Sequence, residues 1–312
     1  MGFLPVLFCF LATTAAVPLQ GHEELKWRRI QEPSLEPASH ESFKAMAAKA
    51  VKTNEFIFGG TKARLGLIPM QVDLYITRDD LPGKTFGCGG TLLSATHVLT
   101  AGHCTKHMVA PSRIMVGSIS EKHNSTNTQW REIHGVHTHR GYSDSDRNVW
   151  DDIGVVEFSP PVTFSKDVKV TNILKDDAHL LSNSPWAIVS GFGTMNYTGK
   201  YGNESVLSPD LLYSDVKIYS YPYCAKAWWR NRLSAGQFCA GEKERGVGAG
   251  DSGGPLIVVD NHTIYQLGLT SYGAASPVVD QHMQDKVPSV FTRVSHYCDY
   301  LRQITRGAFE CQ

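Results

Sequence analysis

Ser252 sits in the run Gly250-Asp251-Ser252-Gly253-Gly254-Pro255. A serine hydroxyl is almost wholly protonated at neutral pH and attacks a carbonyl only with a base beside it. Glycines on both sides allow the sharp turn that exposes such a hydroxyl, and let backbone N–H groups point at a bound molecule. Far upstream, Thr100-Ala101-Gly102-His103-Cys104 offers the base, because imidazole can take the serine proton and later return it. The chemistry these residue types could perform is nucleophilic attack on a carbonyl. A carboxylate would then be needed to orient the histidine and stabilise its cation.

The two motifs together, in this order, resemble the signatures of the chymotrypsin/trypsin-like serine protease family. The resemblance covers nearly all of residues 57–305 and implies a Ser-His-Asp triad acting through an acyl-enzyme. In that family the catalytic Asp directly precedes an apolar strand. Asp152, ahead of Ile153-Gly154-Val155-Val156, matches this; Asp151 is one residue too early, and alternation turns it the other way. The oxyanion hole carries over to the backbone N–H groups of Gly250 and Ser252. Ile57-Phe58-Gly59-Gly60 resembles the start of the mature family enzyme. There, cleavage before the Ile frees an α-ammonium that pairs with the Asp preceding the nucleophile, here Asp251. The residue before the cut is Phe56, where the family commonly has Arg or Lys.

The same resemblance maps the pocket for the residue preceding the cleaved bond, P1, to Gly246, Gly273 and Ser289. None is acidic, which implies a bulky apolar preference. An enzyme of that preference could process its own zymogen at Phe56–Ile57. The register at Gly246 leaves one alternative open: a slip of one residue brings Arg245 to the pocket floor and favours acidic side chains. Family cysteines are missing in pairs, at Gly248 with its partner after Gly273, and at Ala187 with Val258.

Seven cysteines occur, and removing Cys9 with an N-terminal signal leaves Cys88, Cys104, Cys224, Cys239, Cys298 and Cys311. An even number in an exported chain suggests three disulfides, while order alone leaves the pairing open. The resemblance implies Cys88–Cys104 and Cys224–Cys239, leaving Cys298–Cys311. The apolar run from Phe3 to Ala12, followed by Ala15 and Ala16, reads as a signal peptide over residues 1–16, which implies a secreted, extracellular protein. Sequons begin at Asn124, Asn196, Asn203 and Asn261 in polar, loop-like stretches and are candidate glycosylation sites.

Lys and Arg number 30, as do Asp and Glu, so the balance provides no basic field for nucleic acid. No later stretch is long and apolar enough for a membrane-spanning helix. The histidines cluster at His97, His103 and His107, and at His134, His137 and His139, without cysteine or carboxylate spacing that completes a zinc site. No metal or cofactor is implied. The partners are protein or peptide substrates and an activating protease.

The elements that must position this chemistry are short strands. Val72, Leu74 and Ile76 alternate with Gln71, Asp73 and Tyr75, and Val216 and Ile218 with Asp215 and Lys217. Apolar runs follow at 153–158, 186–189, 256–259 and 290–294, separated by Gly/Pro turns. Such a pattern is all-β, a sandwich or a barrel. The resemblance selects two packed six-stranded antiparallel β-barrels with the site in the crevice between them. Tyr297, Tyr300, Leu301 and Ile304 have helical spacing and predict a C-terminal helix on the second barrel. Residues 17–56 are polar and Glu/Lys-rich, with a helix expected around 41–52, and read as a propeptide ahead of a peptidase domain over 57–312.

Overall fold

The computed structural model describes residues 57–122, 125–145, 148–198, 204–228 and 233–312. The expected signal peptide, the propeptide with its helix, Phe56, Asn124 and Asn203 lie outside the described residues.

The fold is chymotrypsin-like. Six strands close the first antiparallel barrel: β2 (Gln71–Arg78), β3 (Thr85–Leu92), β4 (His97–Thr100), β5 (Met108–Val116), β6 (Gln129–Thr138) and β9 (Gly154–Ser159). The short strands β7 (Ser143–Ser145) and β8 (Asn148–Trp150) form a separate hairpin between β6 and β9. The second barrel consists of β10 (Trp186–Gly191), β13 (Leu212–Tyr219), β14 (Gln237–Gly241), β15 (Pro255–Asp260), β16 (Thr263–Tyr272) and β17 (Ser289–Arg293), closed by the β13–β14 pairing. On its rim, β1 (Thr61–Lys62) adds to β13, and β11 (Thr194–Thr198) pairs with β12 (Glu204–Leu207).

The period-two pattern explains the cores. Val72, Leu74 and Ile76 point into the first barrel with Ile114, Val156 and Phe158. Val189, Val216, Ile218, Leu256 and Phe291 fill the second. Each such side chain, fully buried, contributes roughly 1.5–3 kcal/mol. The alternation on β2 is nevertheless not polar-outward: Gln71 and Asp73 are buried as well. The second barrel covers that face, and Ser190 on β10 donates to Gln71 Oε1 at 2.7 Å.

Three disulfides form, Cys88–Cys104, Cys224–Cys239 and Cys298–Cys311. The terminal helix, Cys298–Ile304, follows a 3-10 turn over Val294–Tyr297. Its packing departs from the expectation. Leu301 and Tyr297 join Leu99, Ile153 and Val155 of the first barrel, with Leu269 the contribution from the second. Tyr300 donates to the His137 carbonyl at 3.0 Å. The helix therefore straps the C-terminal segment to the barrel that carries the histidine.

Candidate active site

Glycines let the two barrels meet at the motifs. A β-carbon on Gly89 would lie 2.7 Å from the Gly254 Cα, and one on Gly253 would collide with Thr100 and Ala101. Only hydrogen at these positions allows the serine turn and the histidine segment to touch. The Gly89 amide donates to the Ser252 carbonyl at 2.8 Å, and the Thr100 hydroxyl donates to the Gly89 carbonyl at 2.8 Å. His103 lies on the one-turn helix α1 (Gly102–Thr105), which the Cys88–Cys104 bridge ties to β3.

Asp152 lies two residues ahead of β9 and is fully buried. Its Oδ2 accepts from His103 Nδ1 at 2.9 Å and from the Ser271 hydroxyl at 2.6 Å, and its Oδ1 accepts from the His103 amide at 2.8 Å. Thr292 holds the Asp152 carbonyl at 2.9 Å. Burial opposes ionisation of this carboxyl, but the His103 charge and these hydrogen bonds win and hold it below the ordinary carboxylate range. Burial likewise opposes the imidazolium. The Asp152 charge and hydrogen bond outweigh it and raise the His103 pKa above the usual value. Asp151, with a left-handed φ of 48°, turns away and accepts from the Tyr297 hydroxyl at 2.7 Å.

At the serine turn, the Asp251, Gly253 and Gly254 amides donate to the carbonyls of Gly248, Thr270 and Asp251. Among the described residues no acceptor meets the amides of Gly250 and Ser252. Gly250 takes a φ of 97°, open to glycine, and a β-carbon there would lie 2.9 Å from the Gly193 Cα. Asp251 is fully buried and accepts from the Gly193 and Gly248 amides at 2.9 Å each. Burial pushes its carboxyl up to about 7, although these two amides act in the opposite direction. Ile57 is also fully buried, and Phe58 pairs with Gly246 as an isolated bridge.

A cavity of about 180 Å³ opens beside Ser252. Val247, Gly248, Ala249, Tyr272, Gly273 and Ser289 line it, together with Tyr197 and Asp280. Two sequence expectations change here. Gly246 is not part of the lining, and a side chain at this position would run into the Gln284 amide. Gln284 Nε2 donates to the Val247 carbonyl at 2.7 Å, and its Oε1 accepts from Ser289 at 3.0 Å, so this amide braces two residues of the lining. The pocket is also not free of acid, because Asp280 lines it. Arg245 plays no part, being engaged outside by Asp215 at 2.7 Å.

Sequence reasoning missed Asp280 and Gln284 because they lie in the segment between Gly273 and Ser289, which carries no recognisable motif. Pro277 at the start of a short helix was the one local signal there. In the second histidine cluster, His137 Nε2 meets Glu157 at 2.8 Å, and His139 packs edge-on to Tyr297 and Tyr300. His103 lies near Cys88 and Cys104, but their bridge consumes both thiols as ligands. Asn196 lies on β11, with its side-chain oxygen accepting from Gln281 at 2.9 Å. Asn261 is exposed in the turn between β15 and β16. Among the described residues no helix is long and apolar enough to cross a membrane.

A closed pair of antiparallel barrels with an Asp–His pair and a glycine-flanked serine at their junction defines a class of serine hydrolase. The trypsin family model matches residues 57–301, and the chain belongs to that family of serine proteases. It is 30% identical over 259 residues to chymotrypsin-C of Mus musculus, covering 79% of this chain and 88% of that protein. It is 26% identical to chymotrypsin-like elastase family member 1 of Rattus norvegicus, over 81% of this chain and 91% of the relative. For the Canis lupus familiaris protein of the same name the values are 27%, 81% and 93%.

Proposed function

We propose that this protein is a secreted serine endopeptidase, made as a zymogen, that cleaves peptide bonds through an acyl-enzyme. The observation that carries the reading is the 2.9 Å contact of His103 Nδ1 with the buried Asp152, whose second donor, Ser271, lines with Ser252 a side-chain-sized cavity. Asp152 fixes the proton on Nδ1, leaving Nε2 free to take the Ser252 proton as the hydroxyl attacks the substrate carbonyl. The oxyanion formed is met by the Gly250 and Ser252 amides. Collapse of the tetrahedral species expels the amine, which receives its proton from His103, and water then repeats the sequence on the ester.

Activation belongs to the same reading. Asp251 is a buried carboxyl with amide donors and, among the described residues, no ion-pair partner. Cleavage between Phe56 and Ile57 would create an α-ammonium at the already buried Ile57 to supply the missing charge. Residues 1–16 would be removed on export and residues 17–56 on activation. Three disulfides favour an oxidising, extracellular setting. Glycans at Asn124, Asn196, Asn203 and Asn261 would be compatible with that route. On Gly273 and Ser289 alone the pocket would suit a bulky apolar P1 side chain, a preference that the Asp280 carboxyl in the same lining alters.

The test is hydrolysis of a peptide library by the activated protein and by Ser252→Ala. Removing one oxygen opens no large cavity, so the variant is expected to fold and to lose turnover. Wild-type hydrolysis by the variant would overturn the mechanism. A non-catalytic binding protein on this fold would instead show no hydrolysis in either form.

A further inference from the structure

We propose that Asp280, carried into the P1 pocket by the helix Pro277–His282, makes the enzyme select substrates with a cationic side chain, lysine or arginine, at P1. The inference rests on the reading above that the cavity beside Ser252 receives the P1 side chain.

Asp280 comes from the segment between β16 and β17 rather than from the loop preceding Ser252. Its helix is fixed to the barrel rim. Gln281 accepts from the Tyr197 amide at 3.2 Å and donates to Asn196 at 2.9 Å, while Gln284 Nε2 donates to the Asp280 carbonyl at 2.8 Å. The carboxyl is held in turn: Tyr197 donates its phenol proton to Oδ2 at 3.0 Å. The other oxygen, Oδ1, lies 2.7 Å from where a Gly273 β-carbon would stand. The bare glycine wall therefore leaves that oxygen uncovered toward the cavity.

Asp280 is only 6% exposed, yet no Lys, Arg or His forms an ion pair with it among the described residues. The other charge felt nearby is the Asp251 carboxyl, which is of the same sign. A buried carboxylate without a cation is costly, and burial pushes this one up to about 6, with the Tyr197 hydrogen bond acting the other way. At neutral pH it is still ionised. Tyr272 adds a second polar atom to the same lining, a buried hydroxyl with no partner in the described structure. An ammonium or guanidinium arriving through the mouth of the pocket would supply the cation Asp280 lacks. It would form charge-assisted hydrogen bonds there that a phenyl or isobutyl group cannot make. Those latter groups would bury the carboxylate further without pairing it.

The experiment uses the full-length chain after cleavage before Ile57 and matched peptides differing only at P1, with Lys, Arg, Phe or Leu. The expected result is a kcat/KM for Lys or Arg exceeding that for Phe by about 100-fold, with the ratio falling by about 100-fold in Asp280→Asn. A preference for Phe or Leu that Asp280→Asn does not shift would overturn the inference while leaving the protease reading intact. A second measurement needs no nucleophile: calorimetric binding of benzamidine, an aryl cation, and of neutral benzamide to Ser252→Ala. Tighter benzamidine binding that is lost on adding Asp280→Asn supports the inference, even were peptide hydrolysis absent in the wild type. Equal affinities for the two compounds would overturn it.

Discussion

At Asp152 two oxygens meet three donors, and the consequences of removing the charge are specific. Asp152→Asn keeps the shape but presents an amide that can hold the imidazole in the wrong tautomer, with the proton on Nε2. Turnover is expected to fall by about 10⁴-fold with little change in melting temperature, checked by steady-state kinetics beside thermal unfolding. The His103 pKa is raised, so the protonated, inactive form persists to higher pH than for a free imidazole. Activity should therefore rise with pH, with its midpoint above about 6.5, the ordinary histidine value. A kcat/KM profile measured from pH 5 to 9 checks this; a flat profile in a folded enzyme would exclude a histidine base.

At the level of elements, α1 is a single turn and owes its position to its attachments rather than to its own stability. The Cys88–Cys104 bridge closes a short loop, contributing about 3 kcal/mol in a chain-entropy account. Cys88→Ser/Cys104→Ser is expected to destabilise the fold by about that amount in urea unfolding and to lower kcat more than KM, because His103 is then less well held. The barrels were legible because their apolar faces alternate, and the triad because its residues sit in local motifs. The pocket was legible only in part. Counting back from Ser252 reaches Gly246 but cannot reveal that a glutamine from the segment between β16 and β17 packs against it. Nor can it reveal that the helix Pro277–His282 brings a carboxylate through the wall. The terminal helix was recognised from its spacing, yet its docking on the first barrel depends on Tyr297 and Tyr300 finding partners at Asp151 and His137. The absent family disulfides leave packed surfaces in place. Ala187 and Val258 share the second core, and a side chain at Gly248 would press on the Phe58 ring.

Across the whole molecule, the proposed zymogen switch and the proposed P1 preference constrain one another. Under the proposed selection of cations by Asp280, Phe56 is a poor P1 residue, and self-processing is not expected. Incubation of full-length Ser252→Ala protein with a trace of active enzyme should leave the Phe56–Ile57 bond intact, whereas a protease of aromatic preference should cut it. N-terminal sequencing reads both outcomes, and rapid release of Ile57-Phe58-Gly59-Gly60 by the enzyme itself would contradict the cation preference. The central claim, that the barrel junction makes Ser252 a nucleophile, is reached most directly by fluorophosphonate labelling of the activated protein, followed by peptide mass mapping. One adduct on Ser252, lost in His103→Ala, is the expected result. An unmodified Ser252 in folded, Ile57-terminated protein would contradict it.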